Sequence, residues 1–453
     1  MPCAGFRRTA RDARSGGEIQ GLTMAHLITG RLLRFSADPF TTPPGESARY
    51  DASGAILVQN GTIRATGPVD EIARLAPDAT RDDMGDALLL PGFVDAHMHY
   101  PQTGMIASWG KRLIDWLETY TFPEEMKFAD PTYARRQAGL TLDLARANGT
   151  TTLASFCTIH PQSVEALFEA AAERGMAVVA GKTCMDRNAP EGLRDTAQSA
   201  HDDSARLLSD WHGRGRAIYA ITPRFTPTST PEQLEALGAL WAAHPDCPMQ
   251  THLSEQIDET SWVRSLHPDA PDYLATYERH GLVGPGALFG HAIHLTERER
   301  ARLRDSGSSV VHCPTSNTFI GSGLFDMART RSDGIPIGLA TDTGGGSSFS
   351  MLRTMAAAYE IAQLRGTALH PAQLLWLATE GSARALRMED RIGTLEPGSV
   401  ADLVALELAS IPAIAQRADR AEDIWEAVFP TIMMGDDRAI RATWVAGSKS
   451  VIS

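Results

Sequence analysis

Two histidines close the segment Pro91-Gly-Phe-Val-Asp95-Ala-His97-Met-His99. Residues i and i+2 of a strand point to the same face, so His97 and His99 can aim two imidazoles at one metal ion. Neutral imidazole is the usual ligand for zinc-like ions. An H-x-H pair also arises by chance, and alone it leaves both readings open. Further candidate strands end on residues of similar chemistry: Arg224-Phe225, then His252 followed by Glu255, then His291, His312 and Asp342. A single histidine or aspartate at a strand end is usually packed or capping a helix. Five imidazoles and two carboxylates at the same end of successive strands have no structural purpose in an apolar core.

The chemistry these residues suit is metal-assisted hydrolysis. His97, His99, His252 and Asp342 can hold one zinc or iron ion and leave a position for water, whose pKa the metal lowers toward neutrality. Glu255 lies three residues beyond His252 and would face away in a regular strand. A loop beginning at Leu253 would turn it back over the metal, where it can shuttle protons. The competing role for Glu255 is a helix-start carboxylate leading Gln256-Ile-Asp-Glu. Other zinc signatures are missing: there is no H-E-x-x-H, and no H-x-E paired with P-C-x-x-C. Gly344-Gly345-Gly346 lacks the lysine of a phosphate loop and reads as flexible lining beside Asp342.

The elements that must position these residues follow from periodicity. Eight candidate strands fall at 88–97, 150–156, 176–183, 217–223, 248–254, 287–292, 308–313 and 335–341, with helical patterns between most of them. Pro131, Pro161 and Pro231 suit the first helical position of three of these helices. Strand–helix alternation of this kind specifies an α/β fold, a (β/α)8 TIM-like barrel over 91–390, with active-site groups at the C-terminal ends of the strands. Residues 24–90 carry short β signals and the hairpin turn Asn60-Gly61. With the β-like stretch after Ile392 they predict a small β-sandwich domain built from both chain ends, 24–90 and 391–453. The segments 100–130 and 255–285 are natural lids over the barrel mouth.

Composition narrows the classes. The 453 residues are 43% hydrophobic and carry a formal charge of −13. That charge argues against nucleic acid as a partner. No apolar run approaches the roughly 18 residues of a membrane span, and a cytoplasmic location is expected. The five cysteines are scattered without a C-x-x-C pair, against a disulfide framework or thiolate site. Residues 1–23 contain Arg7, Arg8, Arg11 and Arg14 but no apolar core of a secretory signal. They read as a disordered extension ahead of a natural start at Met24.

From about residue 24 to 450 the chain resembles the amidohydrolase superfamily. The resemblance rests on the His97/His99 segment, His252, His291, Asp342 and the closing Gly393-Thr-Leu-Glu-Pro-Gly-Ser-Val-Ala-Asp402-Leu. Within the superfamily it is similar to the guanine deaminases. The residues that carry this are Trp116-Leu-Glu-Thr-Tyr-Thr-Phe-Pro-Glu124, Arg224-Phe225, Thr251-His-Leu-Ser-Glu255 and His312-Cys-Pro-Thr-Ser-Asn317. The resemblance implies zinc, one per subunit with iron as an alternative, on His97, His99, His252 and Asp342. It implies Glu255 as proton shuttle and His291 as hydrogen-bond partner of the reacting water, with Asp342 in the catalytic set. Gln102, Arg224 and Phe225 would hold a purine beside His252 and Glu255. An ion pair is the competing role for Arg224. The implied reaction is deamination of guanine to xanthine by a homodimer. The alternatives are a relative acting on a pterin, adenosine derivative or triazine, and a non-catalytic scaffold.

Overall fold

A computed structural model of the protein describes residues 25–109 and 112–450. The expectations for residues 1–23 lie outside the described residues. Strands β1 (His26–Phe35), β2 (Ala48–Gln59), β3 (Thr62–Pro68) and β4 (Thr80–Pro91) belong to one seven-stranded sheet, which residues from the far end of the chain complete. Asn60 and Gly61 both adopt positive φ, 55° and 73°, and join β2 to β3 in the two-residue hairpin that their sequence specifies.

The next strands form the barrel: β5 (Phe93–His99), β6 (Thr150–Phe156), β7 (Ala177–Gly181), β8 (Thr183–Cys184), β9 (Ala217–Tyr219), β10 (Thr222–Pro223), β11 (Met249–Leu253), β12 (Ala287–His291), β13 (Ser309–His312) and β14 (Ile337–Leu339). Parallel pairing runs β5-β6-β7-β9 and β11-β12-β13-β14. Backbone hydrogen bonds close the two seams. Gln250 N–H donates to Ile221 O at 2.9 Å on one side. On the other, Asp342 N–H donates to His97 O at 2.9 Å and His99 N–H to Thr343 O at 2.8 Å. Small apolar side chains fill the interior, among them Ala96, Ala154, Ala177, Ala220 and Ala340, packed with Leu386, Met388 and Ile392.

The last strands, β15 (Leu403–Leu406), β16 (Ile440–Val445) and β17 (Ser448–Ser450), complete the outer sheet in the order β17-β16-β15-β4-β1-β2-β3. Period-two alternation separates its two faces. Leu89, Leu403, Ala405 and Trp444 meet Ile28 and Ile56 in a core of the sheet's own. Leu88, Leu90, Val404 and Leu406 pack toward the barrel helices.

Two expectations need correction. The apolar run 88–97 is two strands rather than one, because the chain leaves the outer sheet at Pro91 and enters the barrel at Phe93. Gly92 makes the crossing possible: its N–H donates to Asp402 O at 2.8 Å, and a Cβ there would lie 2.3 Å from Thr151 Oγ1. The stretch 391–453 is also not uniformly β. Helix Ile424–Met434 packs Val428 and Ile432 against Leu352 and Met355 of helix Met351–Leu364. Its apolar residues recur at helical spacing.

The segments expected as lids, 100–130 and 255–285, carry short helices among their described residues. The first runs through Leu113–Trp116, a π-helical turn at Leu117–Thr121 and Phe122–Glu125. The second contains Ile257–Leu266 and Leu274–Glu278. Arg112 and Asp258 bridge the two at 2.8 Å.

Candidate active site

Strand β5 delivers His97 and His99 to one point despite an irregularity in register between Asp95 and Met98. Their Nε2 atoms lie 3.5 and 3.6 Å from the same oxygen, Asp342 Oδ1. Buried Asp95 holds the seam together below them: Thr341 N–H donates to its Oδ1 at 3.0 Å, and Thr341 Oγ1 binds the other oxygen. Burial pushes Asp95 up to about 7, although these bonds oppose the shift. Asp95 stands in the motif read from sequence, but its role there was not foreseen.

His252, from the end of β11, completes the cluster. Its Nδ1–H donates to Arg224 O at 2.7 Å, which leaves Nε2 with a free lone pair. That nitrogen is 3.1 Å from His99 Nε2. Two imidazole lone pairs at this distance repel unless a proton or cation lies between them. His97 Nε2 is buried with no hydrogen-bond partner. The ring nitrogens of His97, His99 and His252 lie within 4.8 Å of one another, and those of His97 and His291 lie as close to Asp342 and Cys313. Burial, then the neighbouring imidazoles, holds His99 and His252 well below the usual histidine range. Burial lowers His97 as well, against the pull of Asp342. Asp342 sits at about 2; burial would raise it, but His97 and His291 outweigh that. Three neutral imidazoles and one carboxylate anion are a donor set that fits a divalent ion such as zinc or iron.

Glu255 and His291 face each other beside this cluster, with Glu255 Oε2 3.5 Å from His291 Nε2. Ser254, at φ 49°, supplies the turn that brings Glu255 back toward the pocket. Glu259, not Glu255, fills the helix-start role: its Oε2 accepts from the N–H groups of Glu255 (2.8 Å) and Gln256 (3.0 Å). Glu255 Oε1 accepts from Ser322 Oγ at 2.8 Å, so Oε2 is the oxygen turned toward His291. Burial raises the Glu255 pKa more than His291 lowers it. His291 moves up, because Glu255 and Asp342 together overcome its burial. Its Nδ1 donates to Asn317 Oδ1 at 2.9 Å, which orients the ring. His291 and its neighbour Ala292 sit at φ 66° and 49°, and Asp342 at 49°. Backbone held in this region is costly for residues other than glycine, and such strain gathers where side chains must be aimed.

A small pocket opens over these groups, lined by Gln102, Trp116, Arg224, Phe225 and Glu255 among others. Arg224 both lines it and forms an ion pair: Nη1 and Nη2 bind Glu125 Oε2 and Oε1 at 2.7 and 3.1 Å. Gln102 Nε2 donates to the same Oε1 at 3.0 Å. Glu125 escaped the sequence reading, being one residue past the stretch that ends at Glu124. Glu124 itself pairs with Lys127 and Tyr133. The available signal was helical phase, which the π turn at Leu117–Thr121 shifts.

Two further readings change. His312 does not line the pocket; it stacks on Phe325 at 4.5 Å, and burial pushes it down to about 3. The glycines beside Asp342 provide space rather than flexibility. A Cβ on Gly344 would lie 2.5 Å from Gln102 Cβ, and one on Gly345 would lie 2.8 Å from Ser316 Oγ.

Comparison with known proteins identifies the family. A model of the amidohydrolase family matches residues 88–449, and one of an imidazolonepropionase-like composite domain of bacteria matches residues 54–79. The chain is 42% identical over 400 residues to a guanine deaminase of Escherichia coli (strain K12), covering 88% of this chain and 91% of that one. The crystal structure of guanine deaminase from Bradyrhizobium japonicum superposes with a TM-score of 0.92 at 37% identity, covering 94% of this chain and 99% of that chain. A guanine deaminase from C. acetobutylicum, solved with guanine bound in its active site, superposes with a TM-score of 0.84 at 27% identity, covering 94% and 100%. With a family model matched over residues 88–449, the chain belongs to the amidohydrolase family.

Proposed function

We propose that this protein is a metal-dependent guanine aminohydrolase that converts guanine and water to xanthine and ammonia. The observation that carries the reading is the pocket itself. A guanidinium and an amide, tied to one buried carboxylate, face a Glu255–His291 pair and four convergent metal-type ligands. The relatives with 42% and 38% identity are a guanine deaminase and a probable one, and support the substrate.

His97, His99, His252 and Asp342 would hold one zinc ion per subunit, with iron as the alternative. When bound, that ion supplies Lewis-acid activation of water near neutral pH. The side chains do the rest. Arg224 donates to the purine carbonyl, Gln102 reads its neighbouring ring nitrogen, and Phe225 supports the ring. Glu255, through Oε2, takes a proton from the attacking water. It passes that proton to a ring nitrogen and then helps to protonate the departing amine at C2. His291 steadies the water opposite Glu255. No helix among the described residues is long and apolar enough to cross a membrane. A cytoplasmic homodimer completes the proposal.

The test is ammonia release from guanine, with adenine, cytosine and pterins alongside. Guanine should give the highest kcat/KM, and Arg224→Ala should lower it more than about tenfold without loss of metal. A pterin or adenine derivative turned over more efficiently than guanine would overturn the substrate assignment.

A further inference from the structure

We propose that Glu125 is a positioning residue that sets which edge of a purine the pocket accepts, an inference that rests on the functional reading above. Glu125 is 1% exposed, and its carboxylate accepts three hydrogen bonds: two from Arg224 and one from Gln102. The two donors come from different strand ends, and both line the pocket. Phe122, from the same short helix as Glu125, lies 5.7 Å from the Arg224 guanidinium. The helix therefore fixes Arg224 by charge at its edge and by a ring beside it.

The consequence for Gln102 is directional. A side-chain amide presents a carbonyl on one limb and two N–H donors on the other. With Nε2 bound to Glu125, a flip would bring Oε1 against a carboxylate oxygen, so the carbonyl limb is the one left for a ligand. Arg224 has only donors to offer. The pocket thus presents a donor beside an acceptor. The complementary ligand edge is an oxo group beside a ring N–H, the lactam edge of guanine. An amino group beside a bare ring nitrogen has the inverse pattern and leaves buried groups unpaired. Glu125 dictates this pattern without needing to touch the substrate.

2,6-Diaminopurine isolates the effect, because it keeps the amino group at C2 and inverts only the neighbouring edge. The ratio of kcat/KM for guanine to that for 2,6-diaminopurine should fall at least about tenfold in Glu125→Gln, where Gln102 is free to flip, with metal content unchanged. Glu125→Asp retains the charge but withdraws it by one methylene. It should lower the same ratio, and it serves if the glutamine variant is insoluble. Equal slowing of both substrates, with the ratio kept in both single variants, would mean that Glu125 only supports the fold and would overturn the proposal. Calorimetry on the same proteins compares xanthine with 2,6-diaminopurine. Wild-type protein that fails to deaminate guanine refutes the functional reading, while the binding ratio still decides the role of Glu125.

Discussion

Replacing Glu255 by glutamine removes a proton carrier and little else. The carboxylate is buried and held by two contacts: Ser322 Oγ donates to Oε1 at 2.8 Å, and His291 Nε2 lies 3.5 Å from Oε2. A glutamine carbonyl can keep the Ser322 bond. His291 stays oriented by its Nδ1 bond to Asn317, which the substitution does not touch. The helix start is unaffected, since Glu259 caps it. The four metal-type ligands are untouched, so metal content should equal wild type. General acid–base assistance is worth about 10²–10⁴ in rate, equivalent to about 2.7–5.5 kcal/mol of barrier. Ammonia release from saturating guanine should slow by that factor, with thermal stability near wild type. Turnover within about threefold of wild type in metal-replete Glu255→Gln would move the proton transfers to another group and refute the assignment.

Three other outcomes follow from the same geometry. Purified wild-type protein should contain about one divalent ion per subunit, and His97→Ala and Asp342→Ala should each lose it by mass spectrometry; undiminished metal in both would refute the ligand set. Lys182 and Asp195 form a buried ion pair, to which Gln233 adds a 2.7 Å hydrogen bond. Asp195→Ala should cost about 3–5 kcal/mol in urea unfolding, while Lys182→Met with Asp195→Leu recovers most of it; a loss below about 1 kcal/mol would place the pair among ordinary surface bridges. His312 titrates at about 3 in the folded protein because it is buried, against about 6.5 unfolded. Its contribution to stability is complete above pH 6.5 and is lost as the pH falls from 6.5 toward 3. His312→Phe should flatten that decline in unfolding titrations above and below pH 6.5, and an unchanged slope would contradict it.

The sequence determined those parts of the protein that depend on short-range geometry and on side-chain chemistry. The two-residue spacing of His97 and His99 is a property of a strand, whatever surrounds it. Asn60-Gly61 specifies its turn through the φ angles that those residues tolerate, and proline opens the helices at 131, 161 and 231 because its fixed φ suits the first turn. The sequence also pointed to His97, His99, His252 and Asp342 as donors through their side-chain chemistry, and the fold brings them together. Only the tertiary structure decided which carboxylate serves which purpose. The sequence left Glu255 between a shuttle and a helix-start role; a left-handed Ser254 turns it to the pocket, and Glu259 takes the helix-start role. Glu124 and Glu125 differ only in phase, and a π turn settles which of them meets Arg224, 99 residues away. Asp95 reaches Thr341 across 246 residues because the barrel closes at that seam. Apolar periodicity shows which face of an element is buried. It carries no information about which element will lie opposite, and buried charges take their meaning from that neighbour.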